Sequence, residues 1–178
     1  MKIEVAEKGS EAFYREVVNI SAQYRYILKN PHRKLKDYFR QFTFLMILDT
    51  VFLVLLLLTS FLWGFDLLDY AIIGILAIAI ARCGLYLHLL KRTLRTFLSD
   101  PRTTVLSFDE SGVEFNKGSS QTIKLGWDNI AVVRVYQESL SFVSGDHTGI
   151  VISCAKRYAG EILAWLRANQ PNVVIVEN

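Results

Sequence analysis

Two apolar blocks, residues 42–63 and 70–90, constrain this chain of 178 residues more than any other feature. An α-helix rises about 1.5 Å per residue, so blocks of roughly 20 residues reach about 30 Å, the thickness of a bilayer's hydrocarbon core. Each block is long enough to span. Only Gly64-Phe65-Asp66-Leu67-Leu68-Asp69 separates them, so the two helices are predicted to form an antiparallel hairpin. Trp63 and Tyr70 fall at its turn end, where amphipathic rings anchor at a membrane–water interface.

Charge gives the hairpin an expected orientation. The first 41 residues carry Lys2, Lys8, Arg15, Arg25, Lys29, Arg33, Lys34, Lys36 and Arg40, and Lys91, Arg92, Arg95 and Arg102 follow the second block. The connecting loop has two Asp and no cation. Short loops rich in Lys and Arg stay cytoplasmic. Both termini are therefore expected inside and the acidic loop outside. The first block starts far from Met1, is too long for a signal-peptide core and lacks a small-residue cleavage site, so it reads as a signal anchor. The two cysteines, Cys83 and Cys154, fall in a span and in the C-terminal region, and their spacing fits neither a disulfide framework nor a metal site.

Outside the blocks the periodicity changes. Residues 2–6 alternate as a short strand. Ser10 can cap a helix whose apolar stripe runs Phe13, Val17, Ile20, Tyr24, Ile27, and Asn30-Pro31 ends it. A new helix is expected to begin within 34–40 and run into the first span. The second span continues through Lys91, Arg92 and Arg95 until Asp100-Pro101. From Thr103 the period is two: strands at 105–108, 113–115 (closed by Lys117-Gly118), 122–127, 130–136, 140–143 and 150–154, with a turn at Asp109-Glu110-Ser111-Gly112. Tyr158, Ile162, Trp165 and Leu166 mark an amphipathic helix, and 173–176 a last strand. Meandering strands followed by one helix predict a small β-roll capped by that helix. With about 75 residues it sits near the lower limit for an independent core, so it is expected to borrow the N-terminal strand or helix.

Residues 103–170 resemble the YcxB-like family of bacterial membrane proteins. The resemblance is carried by Leu106-Ser107-Phe108-Asp109 with Ser111-Gly112-Val113, by Leu125-Gly126-Trp127-Asp128-Asn129-Ile130, by the 139–143 strand, and by Val151-Ile152-Ser153-Cys154-Ala155-Lys156-Arg157 leading into the final helix. The order of an N-terminal segment, a two-helix hairpin and a C-terminal domain fits as well. The resemblance implies a pleckstrin-homology-like domain, with Trp127 and Ile130 in its core and no catalytic residue to carry over.

Asp49 and Arg82 lie well inside the spans, where a charge costs several kcal/mol. Counted from Gln41 and Leu90 they reach the same depth, so they are expected to pair and fix the hairpin register. Contact with a partner helix, or a proton or ion relay, is the alternative reading. Gly74, Ala77, Ala81 and Gly84 share a face of the second span, which is expected to pack on the first span, with homodimerisation as the alternative. Arg33, Lys34, Lys36, Arg40, Lys91, Arg92 and Arg95 are candidate contacts for anionic lipids, although topology alone requires such residues. His32, His88 and His147 are scattered, and no catalytic, metal or cofactor constellation is present. A net charge of +3 without a matching motif argues against nucleic acid.

The expected architecture is an α+β membrane protein in three segments: a cytoplasmic strand and amphipathic helix (1–40), a transmembrane hairpin (41–91) and a pleckstrin-homology-like β-roll capped by a C-terminal helix (103–178). The expected role is non-enzymatic interaction or regulation at the bacterial inner membrane, with lipids, a protein partner or a second copy as partners. An immunity protein against a toxin and an accessory subunit of a transporter are the alternatives.

Overall fold

The computed structural model describes residues 9–99, 104–117, 122–146 and 148–177, and the backbone of 2–5. Lys8, Asp100-Pro101, Arg102, Thr103, Gly118 and His147 lie outside these residues. The chain divides into two units. One joins Met1–Leu35 with Thr96–Asn178, and the other is Lys36–Arg95. The N-terminal segment is thus part of the C-terminal domain, and the hairpin is an insertion within it.

The first unit contains two sheets. Strands β1 (Lys2–Val5), β2 (Thr104–Asp109), β3 (Gly112–Lys117) and β4 (Thr122–Gly126) form an antiparallel sheet in that order. Lys2 lies opposite Ser107 and Val5 opposite Thr104. Strands β5 (Ile130–Val135), β6 (Ser139–Ser144), β7 (Val151–Ala155) and β8 (Ile175–Val176) form the second sheet, ordered β7-β6-β5-β8, with β8 parallel to β5. Each of the predicted strands is found within a residue or two at its ends, except that 173–176 shortens to Ile175–Val176 and Trp127 leaves β4 for a 3₁₀ turn.

Turn chemistry explains the register. The Asp109 carboxylate accepts the Ser111 and Gly112 amides at 2.7 and 2.9 Å, closing the β2–β3 turn. The Ser111 hydroxyl also donates to the carboxylate, and this bond, followed by the Ser111 amide, holds its pKa down to about 2. A Cβ on Gly112 would stand 2.2 Å from the Leu125 carbonyl oxygen of β4, so only glycine fits there. The Trp127 indole donates to the Asp109 carbonyl at 2.9 Å, tying the end of β4 to the same turn.

The main core lies between the sheets and α5 (Ala159–Asn169). Leu106, Phe108, Val113 and Leu125 of the first sheet meet Val133, Leu140, Phe142, Ile152 and Cys154 of the second, with Ile162 and Leu166 of α5 above them. Trp127 and Ile130 belong to this core, as expected. A bulge between Ile130 and Val132 lets Ile130 and Val133 both face it. Burial drives the Cys154 thiol up to about 12, so it is a packing group rather than a nucleophile.

The N-terminal stripe forms two helices instead of one. Ser10 caps α1 (Glu11–Ala22) by accepting the Phe13 amide at 3.1 Å. Gln23 then leaves helical geometry (φ −111°, ψ 10°), and α2 (Tyr24–Lys29) follows. Ile20 and Ile27, one from each helix, enter a second, smaller core with Val132, Tyr136, Val143 and Val176 on the opposite face of the second sheet.

The second unit contains α3 (Tyr38–Trp63) and most of α4 (Leu67–Ser99), both long and apolar enough to cross a membrane. Asp37 caps α3 by accepting the Arg40 amide at 3.3 Å. Gly64 ends it with φ +92°, a conformation that favours glycine. The Asp66 carboxylate then accepts the Asp69 amide at 2.8 Å and starts α4 three residues earlier than the predicted span. Within this unit Phe42, Met46, Asp49, Leu53, Leu56 and Ser60 of α3 form a partly covered stripe at alternating spacings of four and three. Asp69, Ile73, Leu76, Ile80, Cys83 and Leu87 form its counterpart on α4. That spacing is the seam of two helices packed side by side.

Phe142→Ala should cost about 3–5 kcal/mol, because it opens a cavity between both sheets. Gly112→Ala should cost roughly 1–3 kcal/mol by forcing β3 away from β4. Denaturant unfolding of the detergent-solubilised chain, followed by Trp127 and Trp165 fluorescence, checks both.

Candidate functional site

The face of the second sheet opposite the main core carries the polar groups. Alternation along the strands puts Val132, Arg134 and Tyr136 of the β5 segment, Ser139, Ser141 and Val143 of β6, and Val151 and Ser153 of β7 on this side. An antiparallel sheet with one buried face ordinarily turns such a face to water. Here α1 and α2 cover it.

Two interactions hold the cover. The Glu16 carboxylate, on α1, accepts the Gln137 amide (3.1 Å), the Glu138 amide (3.1 Å) and the Ser139 hydroxyl (2.6 Å), so it caps the whole turn between β5 and β6. Arg134 is fully buried, and its Nη1 donates to the carbonyls of Pro31 and Arg33 at 2.5 and 2.6 Å. Its guanidinium also lies 4.8 Å from the centre of the Tyr136 ring. Hydrogen bonds to charged groups contribute about 1.5–3 kcal/mol each, so these contacts outweigh neutral ones. Ser141 and Ser153 bridge β6 and β7 at 2.7 Å, and Asn19 of α1 and Gln23 at its end are buried too.

Tyr136 is buried, and its hydroxyl has no hydrogen-bond partner among the described residues. Burial pushes its pKa up to about 12; the Arg134 charge opposes the shift and the Glu16 carboxylate adds to it. Sequence reasoning missed Glu16, Arg134 and Tyr136 as a group. The one local signal was Arg134 itself, a charge set between Val133 and Val135 in an apolar strand.

The hairpin residues are placed as follows. Ser60 donates to Asp69 at 2.8 Å and Phe42 stacks on Tyr86 at 5.3 Å, which fixes the register at both ends. Counting inward puts Asp49 level with Ile80 and Arg82 level with Met46 and Ile47. The two charges are therefore offset by two to three residues, about 3–4.5 Å along the axis. Asp49 is half-buried on the seam, whereas Arg82 is exposed and lies off it. Among the described residues no ion pair or hydrogen bond joins them. The expected level pairing gives way to a register set by the three-residue turn.

The small residues also differ from expectation. A Cβ on Gly74 or Gly84 would meet nothing within 4 Å, and Ala77 and Ala81 are exposed, so this face is not packed on α3. Trp63 and Tyr70 are exposed at the turn end. Arg33, Lys34, Lys36, Arg40, Lys91, Arg92 and Arg95 are all exposed; Arg33 lies 6.0 Å from the Tyr26 ring centre. Among the described residues no group of three or more His, Cys, Asp or Glu side chains is placed to hold a metal ion. Comparison of the chain with family models, curated proteins and solved structures finds no match.

Arg134→Ala should destabilise the first unit by about 3 kcal/mol, since two buried carbonyls lose a charged donor. Tyr136 gives a pH signature. Its folded pKa lies above that of an exposed tyrosine, near 10. Above pH ~10 the unfolded chain ionises first, so stability falls as pH rises toward 12. Tyr136→Phe should flatten that alkaline loss in thermal melts. In the hairpin, a double-mutant cycle of Asp49→Asn with Arg82→Gln should give a coupling under about 0.5 kcal/mol, the level of independent sites.

Proposed function

We propose that this chain is a non-enzymatic protein of the bacterial inner membrane, anchored by the α3–α4 hairpin, whose first unit engages another protein from the cytoplasmic side. The carrying observation is the hairpin itself. Its two helices of 26 and 33 residues leave Phe44, Phe52, Leu58, Phe61, Ile75 and Ile78 exposed, a surface that water does not tolerate and lipid does. Because segments from both sides of the hairpin build one folded unit, a spanning hairpin requires both flanks on the same side. The cations of both flanks and the acidic turn favour the cytoplasm for that side.

The four-stranded sheet, the β5-β6-β7 sheet and the helix that follows it support a pleckstrin-homology-like reading of the first unit. The resemblance to the YcxB-like family supports it too. On this reading the first strand of the roll is β1, and the membrane hairpin is inserted between the first two strands.

Asp49, which pairs with no side chain among the described residues, and the uncovered Gly74–Gly84 face favour a second reading. In it the hairpin also meets another membrane helix, as an accessory subunit would.

Cysteine labelling in intact cells tests the topology, on a background with Cys83 and Cys154 replaced by Ser. Asp66→Cys should react with a membrane-impermeant maleimide, and Lys34→Cys only after permeabilisation. The reverse pattern would overturn the orientation, and equal labelling of both would overturn the spanning hairpin. Cross-linking in native membranes should capture a second protein; recovery of the chain alone would count against a hetero-partner.

A further inference from the structure

We propose that α1–α2 is a detachable cover, and that the sheet face beneath it is a docking site for an amphipathic helix that presents one carboxylate to the β5–β6 turn, occupied in this structure by the chain's own. The inference deepens the interaction reading by naming the face and the chemistry of the partner. The two sides of the second sheet differ in kind. Among the described residues the main core gathers fifteen buried apolar residues, and the cluster under the cover only six. Leu28, Leu35 and Val151 pack at its margin, and the rest of the covered face is polar: Arg134, Ser139, Ser141 and Ser153. A polar, modest interface of this kind resembles a transient protein–protein contact rather than a core. Uncovered, the sheet would show water both these polar groups and the apolar patch of Val132, Tyr136, Val143 and Val176.

The occupant defines what fits. A carboxylate in the place of Glu16 takes two backbone amides and the Ser139 hydroxyl. An aliphatic side chain one helical turn further on, as Ile20 is, meets Val132, Tyr136 and Val143. Two free carbonyls at a helix end, as at Pro31 and Arg33, receive Arg134. A partner helix with an acid and an aliphatic residue four apart, ending in an irregular turn, satisfies all three. The Pro31–Arg33 turn leads into α3 within five residues, so displacement of the cover would free the chain segment that enters the hairpin.

Hydrogen exchange of the full chain in lipid nanodiscs tests the cover, whether or not a natural partner is ever captured. Amides of α1 and α2 should exchange at least ~10-fold faster than those of β3 and α5, through opening short of global unfolding. Glu16→Gln should accelerate α1, α2 and the 137–139 amides by a further ~10-fold and leave β3 and α5 unchanged. A labelled peptide of residues 9–35 should then bind the Glu16→Gln chain at least ~10-fold more tightly than the unmodified chain. Equal protection of α1 and α5 in the unmodified chain, or equal acceleration of both in the variant, would overturn the cover. Fast exchange without peptide binding would overturn the docking site.

Discussion

The pairing of β1 with β2 is the constraint on which the remaining architecture depends. It joins Lys2 to Ser107 across the whole hairpin, completing the first sheet with a strand from the opposite end of the sequence. Once that pairing is made, α1 and α2 are drawn over the second sheet, and both ends of the hairpin are tied to one folded body. Without it the first sheet would have three strands. The small size of the C-terminal segment makes the loan necessary: about 75 residues bury too small a fraction of their surface to be comfortable alone.

The two faces of the second sheet divide the work. The inner face is held by non-directional burial of Leu140, Phe142, Ile152 and their neighbours, which sets stability. The outer face is held by directional bonds from Glu16 and Arg134, which set where the N-terminal helices sit. The hairpin follows similar logic at lower polarity, its seam fixed by one hydroxyl–carboxylate bond and one aromatic stack.

Local order was legible in the residues because local rules produce it. Period-two alternation located the strands, Ser10 announced its cap, and apolar length marked both long helices. Long-range geometry was not. No pattern in 11–22 says that Glu16 closes a turn some 120 residues later, and the break at Gln23 has no proline or glycine to announce it. Arg134 was visible as a misfit in an apolar strand, but its partners are carbonyls, which every residue carries. The offset of Asp49 from Arg82 was hidden for another reason. Helix register is set at the tight turn, by Gly64 and the Asp66 cap, whereas the polar ends from which depth is counted are blurred, since both helices run on there.

The β1–β2 pairing also imposes an order on synthesis. A ribosome adds about 5–20 residues per second, so β1 emerges roughly 5–20 s before the strand it pairs with. During that interval both long apolar helices are synthesised, while α1 waits with Ile20 and Val18 uncovered. The nascent chain therefore carries an unsatisfied strand edge and an apolar helix face until β2 is made. Factors that bind nascent chains would meet both before the native partner exists.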